Sequence, residues 1–143
     1  MSLKDQLLED MKQAMRDKAT LELDAIRMLR AKIKNTEINQ GPLNDDQVET
    51  LVTQTIKQWQ DAIGDYKKGD RADLVQEAEG KIKILEKYLP EQLSDEALLE
   101  LIQEAKQEMD NPQVGPIIGK VKQKVGNQAD GSRIAKLAQQ AMA

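Results

Sequence analysis

Apolar residues recur at three- and four-residue spacing along every long segment of the chain, and nowhere do they alternate as in a half-buried strand. Leu3, Leu7, Leu8, Met11 and Met15 make a first helical stripe, with Ser2 placed to cap it. Thr20 is placed to cap a second helix in which Leu23, Ile26, Leu29 and Ile33 face inward, and Gly41-Pro42 ends it. Asn44-Asp45-Asp46-Gln47 reads as a capping box. It opens a third helix carrying Val48, Leu51, Val52, Ile56, Trp59 and Ile63, which stops near Gly69. Asp70 is placed to cap a fourth, with Leu74, Ala78, Ile82 and Leu85 leading to Tyr88-Leu89-Pro90.

Beyond that proline the helices shorten. Ser94-Asp95-Glu96 supplies a cap and two acids for the positive first turn of a fifth helix, striped by Leu98, Leu101, Ile102, Ala105 and Met109. After a break from Asn111-Pro112, a sixth is predicted from Pro116 through Ile117, Val121 and Val125 to Gly126. Asp130 caps the last, with Ile134, Leu137, Ala138 and Met142 on one face. The pattern predicts an all-α protein, with an N-terminal four-helix bundle over residues 1–90 and a C-terminal three-helix bundle over 91–143.

Composition narrows the chemistry. The only aromatics are Trp59, Tyr66 and Tyr88. Both cores are therefore expected to be aliphatic, with Trp59 on the stripe and Met11, Met15, Met28 and Met109 as fillers. Tyr66 and Tyr88 fall near helix ends, where a hydroxyl can reach water. There is no Cys and no His, which removes thiol nucleophiles, Ser-His-Asp triads, imidazole proton shuttles and the usual zinc sites. No phosphate-binding glycine loop or Ser-Lys amidase pattern occurs. No catalytic residue, metal site or cofactor is expected. No apolar run approaches the ~20 residues of a membrane span. Met1 to Asp5 leads straight into an amphipathic pattern, so a cytoplasmic location without a membrane partner is expected.

Charge changes the picture more than composition does. The chain is net −4 overall, yet residues 91–111 carry −6 and residues 112–143 carry +4. The tail cations are Lys120, Lys122, Lys124, Arg133 and Lys136. Lys120 shares a helical face with Lys124, and Arg133 with Lys136. Such a patch suits phosphate contacts, which position a nucleic acid without reading its bases. Pairing with the acidic helix over 95–110 would instead neutralise it. On the second helix, Arg27 and Lys34 project together as a second phosphate contact, while Arg30 falls within reach of Glu37 for an ion pair. The acids Asp70, Asp73, Glu77 and Glu79 read as capping and helical surface, with no acid–base geometry.

The text around the junction carries a resemblance. Arg71-Ala72-Asp73-Leu74 leads to Ile84-Leu85-Glu86-Lys87-Tyr88-Leu89-Pro90-Glu91-Gln92-Leu93-Ser94, followed by Ile118-Gly119-Lys120-Val121, Gly126 and Ala129-Asp130-Gly131. Together with Arg27-Met28, Asn35 and Ile38, these resemble the GatB/YqeY family along essentially the whole chain. Two positions depart from the family pattern: Lys122, where a Met is common, and Trp59, where a basic residue is frequent. The resemblance implies an all-α, two-bundle fold. It also implies a C-terminal part similar to the tail of the B subunit of glutamine-dependent aspartyl/glutamyl-tRNA amidotransferase. The family label of carbon–nitrogen ligase activity with glutamine as amido donor rests on that shared tail. The expected role is therefore a contact module for tRNA or another structured RNA that makes no covalent bond itself, with an amidotransferase or synthetase subunit as a further candidate partner. The alternative is a protein–protein adaptor docking through the acidic helix 95–110.

Overall fold

Local capping chemistry sets most of the helix starts in the structure, a computed structural model that describes residues 1–143. The elements are α1 (Leu3–Asp17), α2 (Thr20–Gln40), α3 (Asp45–Lys68), α4 (Ala72–Glu86), α5 (Asp95–Gln107), α6 (Val114–Val125) and α7 (Gly131–Met142), with a 3-10 turn over Gly126–Gln128. The Ser2 hydroxyl accepts the Asp5 N–H at 3.1 Å. Asn44 and Gln47 bond each other's backbone N–H reciprocally at 2.9 Å, which completes the capping box. Ser94 accepts from Ala97 and Asp130 from Ser132, so each satisfies a first-turn donor that has no partner within its helix.

Three starts differ from the expectation. Thr20 is the first residue of α2 rather than its cap, and Ala19 before it offers no side-chain bond. Asp70 closes α3 instead of opening α4. Its φ is +55°, a left-handed position that Asp tolerates better than most residues, and the next N–H, of Arg71, returns to the Tyr66 carbonyl at 2.9 Å. α6 begins at Val114, two residues before Pro116. The proline still lies in the first turn, where a missing N–H costs nothing.

The chain packs as two compact units, Met1–Leu89 and Pro90–Ala143, each with its own core. In the first, Leu7, Ile26, Leu29, Val48, Val52 and Leu85 are fully buried. In the second, Leu98, Ile102, Ile117, Val121 and Ile134 are. Gly80 lets α4 approach α2 closely: a Cβ there would lie 2.7 Å from Leu21 Cδ2. Met11 and Met109 pack against the two cores as expected. Met15 and Met28 do not, being 51% and 40% exposed. The buried register of α1 runs from Leu7 to Ala14, two helical turns apart, which turns Met15 outward. Tyr88 is also a correction. It is buried, and its hydroxyl donates to Asp10 Oδ2 at 2.5 Å instead of reaching water. Burial and the Asp10 carboxylate push that hydroxyl well above the usual phenol range. No helix is long and apolar enough to cross a membrane.

Candidate nucleic-acid interface

The five tail cations fall into two groups. Lys122 Nζ donates to the carbonyls of Gly126 and Ala129 at 2.7 and 2.9 Å. It thereby satisfies the exit of α6, where Gly126 takes φ +55°. Arg133 donates to the Leu93 carbonyl at 2.8 Å and to Asp95 Oδ1 at 2.7 Å. Lys120 pairs with Glu108. Its hydrogen bond, and then its charge and that of Lys124, hold the Glu108 carboxyl below the usual carboxylate range. Lys124 and Lys136 are exposed and make no hydrogen bond or ion pair. The physical reason is proximity. The anionic helix α5 packs in the same bundle as α6 and α7 and draws Lys120 and Arg133 to itself.

In the N-terminal unit the structure assembles a more concentrated site. α1 and α2 bound a cleft of about 490 Å³, with Lys4, Arg27, Arg30, Lys34 and Glu37 on its walls and Leu7, Ala31 and Ile33 completing the lining. α2 presents Arg27, Arg30 and Lys34 at i, i+3 and i+7, so its helical repeat aims all three at one side. Glu37, the acid of the cleft, is already occupied. Its Oε2 accepts from Lys4 Nζ at 2.8 Å and from the Leu43 N–H at 2.9 Å. The Lys4 bond first, then the Leu43 bond, hold its carboxyl below the usual range.

The expected Arg30–Glu37 ion pair therefore does not form. Arg30 lies half-buried with Nη1 3.1 Å from Met11 Sδ, a weak acceptor that leaves the charge uncompensated. Arg27 and Lys34 are exposed and have no ion pair either. Three cations thus converge on one cleft with no carboxylate to neutralise them. Arg27 and Lys34 were legible as a helical stripe. Lys4 was not, because it reaches the site across 33 positions of sequence.

The most recognisable sequence elements turn out to be structural. Tyr88 anchors in the first core. The Leu93 N–H donates to Gln128 O, and Gln92 Nε2 to the carbonyls of Pro90 and Asn127. Arg71 and Asp73 pair at 3.0 Å at the entrance to α4. Trp59 packs half-buried against the first core, and Lys81 Nζ lies 4.6 Å from its ring centroid, a cation–π distance that leaves this face covered. On α5, Glu96, Glu100 and Glu104 line a shallow groove with Leu99.

Comparison with known proteins finds both relatives and a matching family model. Several fungal relatives bear the name "Altered inheritance of mitochondria protein 41, mitochondrial". The protein from Lachancea thermotolerans is 39% identical over 85 residues, covering 58% of this chain and 46% of the relative. The one from Kluyveromyces lactis is 30% identical over 123 residues, covering 80% and 66%. The one from Pyrenophora tritici-repentis is 26% identical over 140 residues, covering 94% and 77%. The match thus spans about half the length of the first of these relatives. The family model described as YqeY-like protein matches residues 4–142, both helical units and the junction between them, and the chain belongs to that family.

Proposed function

We propose that this chain is a non-catalytic accessory module that grips the sugar–phosphate backbone of a structured RNA, with tRNA as the RNA and glutamine-dependent tRNA amidation as the process it serves. The observation that carries this reading is the α1–α2 cleft, where Arg27, Arg30 and Lys34 stand without a partner carboxylate. Cations crowded in this way repel one another, and an anion from outside relieves that repulsion. Lys124 and Lys136 add a second, sparser contact, while Lys120, Lys122 and Arg133 hold the C-terminal bundle together. Glutamine hydrolysis needs an activated nucleophile, and the chain has no Cys, no His and no Ser-Lys amidase pattern to supply one. The relatives' printed name places them in the mitochondrion. Both that compartment and a bacterial cytoplasm contain tRNA.

The test is a titration of labelled tRNA at two salt concentrations. The wild type should show a steep salt dependence, with a slope of about −0.9 per phosphate contacted. Arg27→Glu with Lys34→Glu should weaken binding more than tenfold and reduce the slope by about two. Lys124→Glu with Lys136→Glu should have a smaller effect. Unchanged affinity and slope in the first variant would remove the cleft from the interface. A second reading, docking of a basic protein partner on Glu96, Glu100 and Glu104 of α5, predicts that only reversal of those acids matters.

A further inference from the structure

The α1–α2 cleft has more specific chemistry than a general polyanion surface, and three observations narrow its ligand. First, the charge left over after Lys4 and Glu37 pair is three positive groups, Arg27, Arg30 and Lys34. An internal phosphodiester carries a single negative charge. A phosphate monoester carries about −1.5 to −2 near neutral pH and offers three strong acceptor oxygens. Second, Arg30 sits half-buried, and its only bonding neighbour is the Met11 thioether. A guanidinium fork with its donors unspent in a cleft is suited to bidentate capture of phosphate oxygens. Third, the volume of about 490 Å³ is in the range of small-ligand sites, and Ala31 and Ile33 add apolar lining beside the charges. A phosphate carried on a nucleoside satisfies both the charge and the lining.

We infer that the cleft between α1 and α2 binds the terminal phosphate monoester of a nucleotide, with Arg30 as the fork at its base and Arg27 and Lys34 closing on the remaining oxygens. The assignment rests on the reading of the chain as an RNA-contacting module and deepens it. The nucleotide is either the 5′-phosphorylated end of an RNA or a free mononucleotide, since both present the same group.

The experiment uses the full chain, labelled with 15N, and two readouts. In the first, adenosine 5′-monophosphate, adenosine and inorganic phosphate are titrated separately while backbone and arginine side-chain resonances are followed. The monophosphate should shift Arg27, Arg30 and Lys34 saturably, inorganic phosphate should compete, and adenosine should do neither. In the second, two RNAs of one sequence, ending in a 5′-phosphate or a 5′-hydroxyl, are compared by affinity. Arg30→Gln should abolish the monophosphate shifts. Arg27→Gln, at an exposed position that leaves the core untouched, should weaken monophosphate binding about tenfold or more, consistent with loss of a charge-assisted bond. Lys57→Glu, at an exposed position of α3 outside the cleft, should leave it unchanged.

Monophosphate binding with at least a fivefold preference for the phosphorylated RNA identifies an RNA end as the ligand. Monophosphate binding without that preference identifies the free nucleotide. Absence of monophosphate shifts together with equal affinity for the two RNAs overturns the inference, while salt-sensitive tRNA binding by the same protein would leave the wider proposal standing. Conversely, monophosphate binding by a protein that ignores RNA would sink the wider proposal and keep this one.

Discussion

Glu37 shows how one side chain can set both stability and site charge. Its carboxylate ties the start of α1 to the end of α2 through Lys4 and receives the Leu43 N–H. These bonds favour the ionised form, so the folded-state pKa lies below the reference value of 4.5. The sign of the linkage follows. The stability contributed by Glu37 is fully present above that reference value and is lost as pH falls through the lower, folded-state one. Asp73 beside Arg71 and Glu108 beside Lys120 shift in the same direction, so acid should destabilise the fold from about pH 4.5 downward. Glu37→Gln is expected to lower Tm at pH 7 and to make the decline from pH 5 to pH 3 shallower, without flattening it. Circular dichroism melts across that range would check this. The same variant frees Lys4 and so should not weaken phosphate binding, which separates its structural role from that of Arg30.

At the scale of elements, two glycines inside helices should respond in opposite directions. Gly80 sits where α4 meets α2, and even an added Cβ would lie 2.7 Å from Leu21 Cδ2, so the Leu21 side chain must give way to any substituent. Gly80→Leu is expected to cost about 1–3 kcal/mol through overpacking. Gly119 lies within α6 with nothing within 4 Å of an added Cβ, so Gly119→Ala should add about 0.4–1 kcal/mol by restricting the unfolded chain. Urea titrations of the pair would settle both signs. The contrast also shows what the sequence could and could not reveal. The caps Ser2, Asn44, Ser94 and Asp130 were legible because a cap and its N–H lie two or three residues apart. Asp70 misled because one residue type serves equally to start a helix or to leave one in the left-handed region. Gly119 lies inside α6, as the stripe of Ile117, Val121 and Val125 running past it requires. The cleft was half legible. Its α2 stripe could be read, but the Lys4–Glu37 pair that withholds a counter-charge from Arg30 depends on tertiary packing.

For the whole molecule, charge and cooperativity both follow from the division into two units. Each unit is net −2, so total charge opposes nucleic acid and any affinity must come from local concentration of cations. The strongest contrast in the sequence, −6 against +4, draws Lys120 and Arg133 into ion pairs within the C-terminal unit, whereas the unneutralised cations that share one cleft stand in the N-terminal one. The two cores share no residue, and the only tryptophan, Trp59, belongs to the first. Ile134→Ala removes a fully buried side chain from the second core. The expected cost of about 2–5 kcal/mol is comparable to the whole stability of so small a unit. Helical signal from α5–α7 should then be lost at lower temperature, while the midpoint followed by Trp59 fluorescence stays where it was. Binding of adenosine 5′-monophosphate, which requires only the first unit, should persist in that variant. A joint downward shift of both signals would show instead that the two cores unfold as one cooperative system.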